Sequence, residues 1–250
     1  MRIVSLCPSL TELVYDLGCG AELVGITEYC VHPAQALQTV EAVGGTKTPD
    51  VRRIVALAPD LVLLNEEENR REDAAALVAA GVRCHTSMPR DCAETADMVR
   101  SIASALQRPQ EGQRIANAIE RRAGRVQARA RSARAVRFAY LVWRKPWMSV
   151  NRDTFASNLL CQAGGINVFA DCPERYPEIS ADQLRTAHPE RVFLCSEPFP
   201  FQNRHGDELA ALTGLARSAF VLADGEYLSW HGSRTPDGID YAESLIDDAR

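Results

Sequence analysis

The sequence contains no apolar run approaching the roughly 20 residues that a bilayer-spanning helix needs, so no membrane insertion is expected. It has eight cysteines, Cys7, Cys19, Cys30, Cys84, Cys92, Cys161, Cys172 and Cys195, yet no C-x-x-C pair. A structural zinc site needs tighter ligand clustering than this. Their neighbours are mostly apolar, as in "FLCSE" and "SLCPS", so most read as small buried hydrophobes of a reducing compartment. Also missing are G-x-S-x-G, H-E-x-x-H and a glycine-rich phosphate loop, and "VGGTKTPD" lacks the spacing of the last. Positive charge is not in excess. The net charge of −5 argues against a nucleic-acid partner. Tryptophan is scarce. Of three in 250 residues, Trp143 and Trp147 bracket Arg144, Lys145 and Pro146 in "YLVWRKPWMSV", an odd place to spend two large rings.

What is present alternates. "RIVSL" reads as a short buried strand and "SLTELVYDLG" as a helix, with Ser9 as N-cap, Glu12 at capping-box spacing and Gly18 as the stop. "ELVGIT", "DLVLLN" and "VRCHTS" read as further strands. "TPDVRRIVALAP", "ENRREDAAALVAAG" (closed by Gly81) and "CAETADMVRSIASAL" read as helices. Strands alternating with helices imply a parallel sheet covered on both faces. "QEGQRIANAIERRAGRVQARARSAR" then carries one apolar stripe, Ile115, Ile119, Val126, Ala130 and Ala133, on a helix of roughly 35–40 Å at about 1.5 Å per residue. Its arginines fall mostly on the other faces and read as a solvated surface.

The second half repeats the first. "ISADQLRTAHPERVFLCSE" follows "TPDVRRIVALAPDLVLLNE" as helix, Ala-x-Pro-acid, apolar strand, then Glu. The expected architecture is α/β, with two Rossmann-like lobes of parallel strands joined by one long backbone helix and a ligand cleft between the lobes. The divisions fall at 1–107, 108–134 and 135–250. Ligands of open parallel sheets bind beyond the carboxyl ends of the strands. The internal match puts Trp143–Trp147 in a loop of that kind, equivalent to Cys7–Ser9. Tyr29, Glu66, Phe199, Trp230 and His231 fall in others. Flat rings with polar tips suit a large planar ligand. Arg144 and Lys145 offer it donors.

"RIVSLCPSLTELVYDLG", "ELVGITEYCVHP", "VGGTKTPDVRRIVALAPDLVLLN" and "AGGINVFAD" resemble the class III periplasmic binding proteins, or helical-backbone metal receptors, over nearly the whole chain. The resemblance is closest to their cobalamin-binding branch. It implies a corrinoid held without chemistry against Tyr29, Trp143, Trp147, Trp230 and Phe199, with haem or an iron–siderophore as the alternative. It also implies an ABC importer permease as partner and a monomeric protein. Members present an acidic residue on each lobe's rim. Glu66 to Glu68, Glu72 or Asp73 stand near the first such position, whereas Trp230, His231 and Arg234 occupy the second, with Asp237 nearby. "MRIVSL" enters its apolar run without a basic n-region or cleavage site, which leads us to expect a cytoplasmic protein, or a periplasmic or cell-surface one if a leader precedes this chain.

Two other readings follow from the residues. His32, His85 and His231 fall near the expected cleft and are candidates for a metal, with His231 also a candidate axial ligand for iron or cobalt. Cys7, at a helix start, is a candidate low-pKa thiol and hence a nucleophile.

Overall fold

The computed structural model describes residues 1–34 and 36–250. The chain divides into two compact units. One comprises Met1–Pro89, Ala93–Ala118 and His231–Arg234, the other Arg90–Cys92, Ile119–Trp230 and Thr235–Arg250.

In chain order the first part runs β1 (Ile3–Ser5), α1 (Pro8–Asp16), β2 (Leu23–Ile26), α2 (Ala36–Thr39), β3 (Glu41–Ala42), α3 (Val51–Ala56), β4 (Leu61–Asn65), α4 (Arg71–Ala79), β5 (Cys84–Ser87), α5 (Cys92–Ala105) and α6 (Pro109–Ala130). The five strands form one parallel sheet in the order β3-β2-β1-β4-β5. Every residue of β1 and β4 is buried, as expected where helices cover both faces. Alternate side chains therefore feed two cores. Val4, Val62 and Leu64 join Val43, Ile54 and Leu77 in one of them.

α1 does not start at the expected Ser9–Glu12 box. Pro8, with its φ preset for a helix, opens it, and Cys7 is the cap residue without a side-chain capping bond. Glu12 turns instead to Arg234, with Oε2 to Nε at 2.9 Å and Oε1 to Nη2 at 2.6 Å. The helix ends as expected. Gly18 adopts φ +77°, its N–H donates to Tyr15 O, and the Cys19 N–H donates to Val14 O, the paired closure that a left-handed residue permits. Gly81, at φ +81°, closes α4 in the same way.

The second part runs β6 (Val136–Leu141), α7 (Phe155–Gln162), β7 (Gly165–Asn167), α8 (Ala181–Thr186), β8 (Arg191–Cys195), α9 (Asn203–Thr213), β9 (Phe220–Ala223), α10 (Gly225–Ser229) and α11 (Thr235–Asp247). Its four strands are parallel in the order β7-β6-β8-β9, the counterpart of β2-β1-β4-β5. The internal repeat extends to single hydrogen bonds. Asp50 and Ser180 cap α3 and α8 by accepting from the N–H three residues on. Ala58 and His188 both take φ near +45°, at 45° and 46°. Asp60 accepts from the Arg2 N–H and Glu190 from the Arg137 N–H, while both arginine side chains donate to the carbonyls that end the preceding helices.

α6 is shared, with its residues up to Ala118 in the first unit and those from Ile119 in the second. Its buried stripe is Gly112, Ala116, Ile119, Ala123 and Val126. Ile115, expected in the stripe, is only half-buried, because small residues bring α6 close to α5. A Cβ on Gly112 would lie 2.2 Å from that of Ala103. The arginines are not simply solvated. Arg122, Arg125 and Arg129 pair with Asp237, Asp240, Glu243 and Asp247 of α11 in a charge ladder.

Candidate ligand-binding site

In each sheet the chain leaves the first strand in opposite directions, and the crevice at that switch is where open parallel sheets take ligands. In the second unit the switch lies between β6 and β8. The loops that leave these strands are residues 142–149 and 196–202.

The first is a tight hairpin. The Val142 N–H donates to Met148 O at 3.0 Å and the Met148 N–H to Trp143 O at 3.1 Å. Lys145 at its tip has φ +69°, a left-handed conformation that costs a non-glycine residue about 1–2 kcal/mol. Such strain persists only where the surroundings over-determine it, and it concentrates at functional sites. The hairpin splays its two tryptophans onto the second loop. Trp143 meets Phe199 edge-on at 5.8 Å, and Trp147 stacks on Phe201 at 6.2 Å and 14°. Phe199 and Phe201 meet at 4.8 Å. The outcome is a continuous strip of four rings. Trp143 remains 41 % exposed, which leaves a large apolar face turned to solvent beside the switch.

Arg144 was expected to offer donors to a ligand. The structure uses it as a buttress instead: Nε and Nη2 donate to Glu208 of α9 at 3.0 and 2.9 Å, and the guanidinium lies 5.6 Å from the centre of the Trp147 ring. Hydrogen bonding to Arg144 holds the Glu208 carboxyl below the usual range. Lys145 adds a second positive charge near Glu208. It lines an open hollow of about 520 Å³ together with Arg144, Trp147, Glu178, Gln183 and Glu208. Phe201, His205 and Glu208 complete this cluster and were not singled out from the sequence. The signal was there in part, because "NRHGDELAALTG" ends in a glycine that caps α9 at φ +72°.

The first unit's edge is built differently. Asn65, at the end of β4, is buried and joins three segments. Its Oδ1 accepts from the Glu67 and Glu68 N–H groups, its own N–H donates to Asn69 Oδ1, and its Nδ2 lies 3.0 Å from His231 Nε2. Because Oδ1 is occupied by two donors, Nδ2 faces His231, and His231 Nε2 is the acceptor. That occupies the lone pair an axial ligand would need. Glu66 is exposed, and so is Tyr29, at 57 %. Trp230 is only 7 % exposed, so its ring packs inside the protein instead of offering a stacking face. His32 is half-buried in the loop after β2. His85 lies within β5, not at its edge, with Nε2 2.8 Å from Ser101 Oγ of α5. Among the described residues no three His, Cys, Asp or Glu side chains cluster as a metal site, so His32, His85 and His231 are not brought together.

The thiol reading fails for a physical reason. Cys7 is buried, and burial, with Glu68 nearby, pushes its pKa up to about 12. The Ser9 hydroxyl opposes this without overcoming it. Asp237, the acid near the second rim position, is paired with Arg122 at 2.6 Å.

Among the described residues no helix is long and apolar enough to cross a membrane. The vitamin B12-binding protein of Vibrio cholerae serotype O1 is 26% identical to this chain over 239 residues, 96% of this chain and 86% of that protein. The crystal structure of the periplasmic vitamin B12 binding protein BtuF of Vibrio cholerae matches with a TM-score of 0.85 at 26% identity, covering 99% of this chain and 97% of that one. The apo form of the periplasmic heme-binding protein RhuT from Roseiflexus sp. RS-1 matches at 0.84 and 25% identity, covering 100% and 99%. The two solved structures are described as periplasmic, which gives the cytoplasmic expectation no support. A family model described as periplasmic binding protein matches residues 3–221, and with the repeated parallel sheets this places the chain in the periplasmic binding protein family.

Proposed function

We propose that this protein binds a corrinoid, of which cobalamin is the type, through aromatic side chains at the carboxyl edge of its second sheet, and hands it on to an ABC importer without altering it. The ring strip at the β6–β8 switch carries the reading. Trp143 presents a half-exposed face held edge-on by Phe199, and a flat macrocycle is the ligand class that such a face takes. The names of the Vibrio relatives support the same ligand. Lys145 and Phe199, in the same unit, are the further contacts. The absence of chemistry is supported by the buried Cys7 thiol, with its pKa of about 12. The protein acts as a monomer.

Titration with cobalamin and cobinamide, followed by visible absorbance and calorimetry, tests this. Binding is expected well below about 100 μM, which corresponds to roughly 5.5 kcal/mol, and no binding up to that concentration refutes it. Trp143→Ala is expected to weaken binding about tenfold, from the loss of roughly 1–1.5 kcal/mol of ring contact. Unchanged affinity would move the site elsewhere.

Haem is the second reading, favoured by the likeness to the Roseiflexus structure. His231 is turned to Asn65, so iron would take Tyr29, whose side chain is exposed. A haem complex whose absorbance is unchanged in Tyr29→Phe would exclude that ligation.

A further inference from the structure

His205 is buried among the rings just described, on the third residue of α9. Its Nδ1 accepts the Gln202 N–H at 2.9 Å, closing the start of the helix. A backbone N–H can only donate, so Nδ1 is the unprotonated nitrogen and Nε2 carries the hydrogen. The imidazole packs against Phe199 at 5.3 Å and edge-on to Phe201 at 5.6 Å. These are the two rings on which Trp143 and Trp147 rest. The end of this segment at Gln202 is therefore tied to α9 by the imidazole lone pair, beside the His205 N–H that donates to Gln202 O at 2.9 Å.

The charged groups around this ring come from two elements. Arg204 of α9 approaches Nε2 with its Nε at 3.4 Å, two donors facing each other in this tautomer. Arg144, from the hairpin, adds a second positive charge, and Glu208 of α9 opposes both while it is bound to Arg144. A proton on Nδ1 would turn the acceptor into a donor aimed at the Gln202 N–H, in a buried site beside two guanidinium groups.

We infer that His205 is a positioning residue that holds Phe199 and Phe201, and through them the Trp143 face, only while its imidazole is neutral. Acidification then loosens the ring strip and releases a ligand stacked on it. Burial first, then Arg204 and Arg144, keeps the imidazole pKa below the ordinary 6.5. Because the native value is the lower one, the neutral imidazole's contribution to stability is full above about 6.5, and the bond itself is lost as pH falls through the lowered native value. The ligand part of this inference rests on the corrinoid reading above. The ring-positioning part does not.

The experiment uses the full chain, wild type and His205→Gln, in two arms. Glutamine keeps an acceptor for the Gln202 N–H but does not titrate. In ligand-free protein, tryptophan emission is followed from pH 8 to pH 5. A transition below pH 6.5 is expected in the wild type and its loss in the variant, and superimposable curves overturn the inference. In the second arm the cobalamin Kd is measured at pH 7.5 and 5.5. It should rise several-fold in the wild type, the limit for one linked proton being about tenfold per pH unit, and by a clearly smaller ratio in the variant. Equal ratios overturn the inference. If the wild type binds no corrinoid at pH 7.5, the proposed function fails, while the emission arm still decides the role of His205. If the variant does not fold, the ¹⁵N spectrum of the wild-type imidazole, assigned through contacts to Phe199 and Phe201, serves instead. An unprotonated Nδ1 at pH 7.5 supports the inference and a protonated one overturns it.

Discussion

Replacing Asn65 by alanine measures how much of the first unit's carboxyl edge hangs on one side chain. Its Oδ1 accepts two N–H groups, from Glu67 at 2.9 Å and Glu68 at 3.2 Å, and its Nδ2 donates to buried His231 Nε2 at 3.0 Å. The two backbone donors sit in a partly wet turn, so each lost bond costs about 1 kcal/mol. Withdrawing the donor from a buried ring nitrogen costs about 1–3 kcal/mol. The sum is about 3–5 kcal/mol, and at about 2–4 °C per kcal/mol for a chain of this length the melting temperature falls by roughly 10 °C. Thermal and urea unfolding, read separately by circular dichroism and tryptophan emission, would show it. Asn65→Asp gives the internal control. The carboxylate still accepts both N–H groups but can no longer donate to His231, which must then present a proton at Nε2. A histidine that gains a carboxylate partner has its native pKa raised above about 6.5. Its contribution is full below that value and is lost as pH rises through the raised native one. The aspartate variant should therefore lose stability from pH 6 to pH 8 relative to the wild type. An alanine variant within 1 kcal/mol of the wild type, or an aspartate variant with no such pH dependence, would refute the reasoning.

Three further outcomes are expected. Glu190→Gln should flatten the acid limb of stability. The Arg137 N–H, then Arg134, holds this carboxyl below its ordinary 4.5, so its contribution is present above about 4.5 and lost as pH falls through the lowered native value. Being about one-third exposed, it is held to about 1 kcal/mol, and equal acid midpoints for the two proteins would disprove it. Gly112→Ala should destabilise by about 1–2 kcal/mol in spite of alanine's better helix propensity, because the new Cβ would meet Ala103 Cβ at 2.2 Å and Val99 O at 3.3 Å; a raised melting temperature would contradict this. Arg125→Ala, which removes contacts to Asp240 at 2.6 Å and Glu243 at 3.0 Å, should cost under about 1 kcal/mol at low salt and almost nothing at 1 M NaCl; a salt-independent loss would mean that the arginine's methylenes matter more than its charge.

The framework was legible in the sequence because it rests on local rules. Buried parallel strands must be near-continuous apolar runs, so "RIVSL" and "DLVLLN" announced themselves, and Gly18 and Gly81 marked helix ends because the left-handed closure there suits glycine. Local rules also misled. Ser9 and Glu12 fit a capping box, but Pro8 started the helix first and Glu12 was drawn to Arg234, 222 residues away. α9 escaped notice because its first turn, "NRHG", is polar and its role depends on rings elsewhere in the chain. The site was half legible. Position along a strand edge can be inferred from an internal repeat, so Trp143, Trp147 and Phe199 could be grouped. Burial and partnership cannot. Trp230 turned inward, Arg144 was claimed by Glu208, and His231 by Asn65, each through a residue distant in sequence.

Comparing the two halves of the repeat separates fold from function more sharply than either half does alone. At the amino ends of the sheets the halves agree bond for bond: Arg2 and Arg137 each donate to the carbonyls closing a helix, and Asp60 and Glu190 each accept from the backbone N–H of the arginine. At the carboxyl ends they share one bond, from the Glu66 N–H to Ser87 O and from the Ser196 N–H to Ala223 O, and then diverge. Where β4 ends in Asn65, which knits a polar turn, β8 ends in Cys195, buried and donating to Glu197 O, and leads into the Phe199–Phe201 ring pair. Nothing in the packing of a parallel sheet requires that difference, since both strands are buried on both faces and both are flanked by the same helix pattern. The agreement at one end is what stability demands of any such unit. The divergence at the other leaves one polar edge and one aromatic edge, and the half-exposed Trp143 ring on the aromatic edge is the face that the proposed ligand would use.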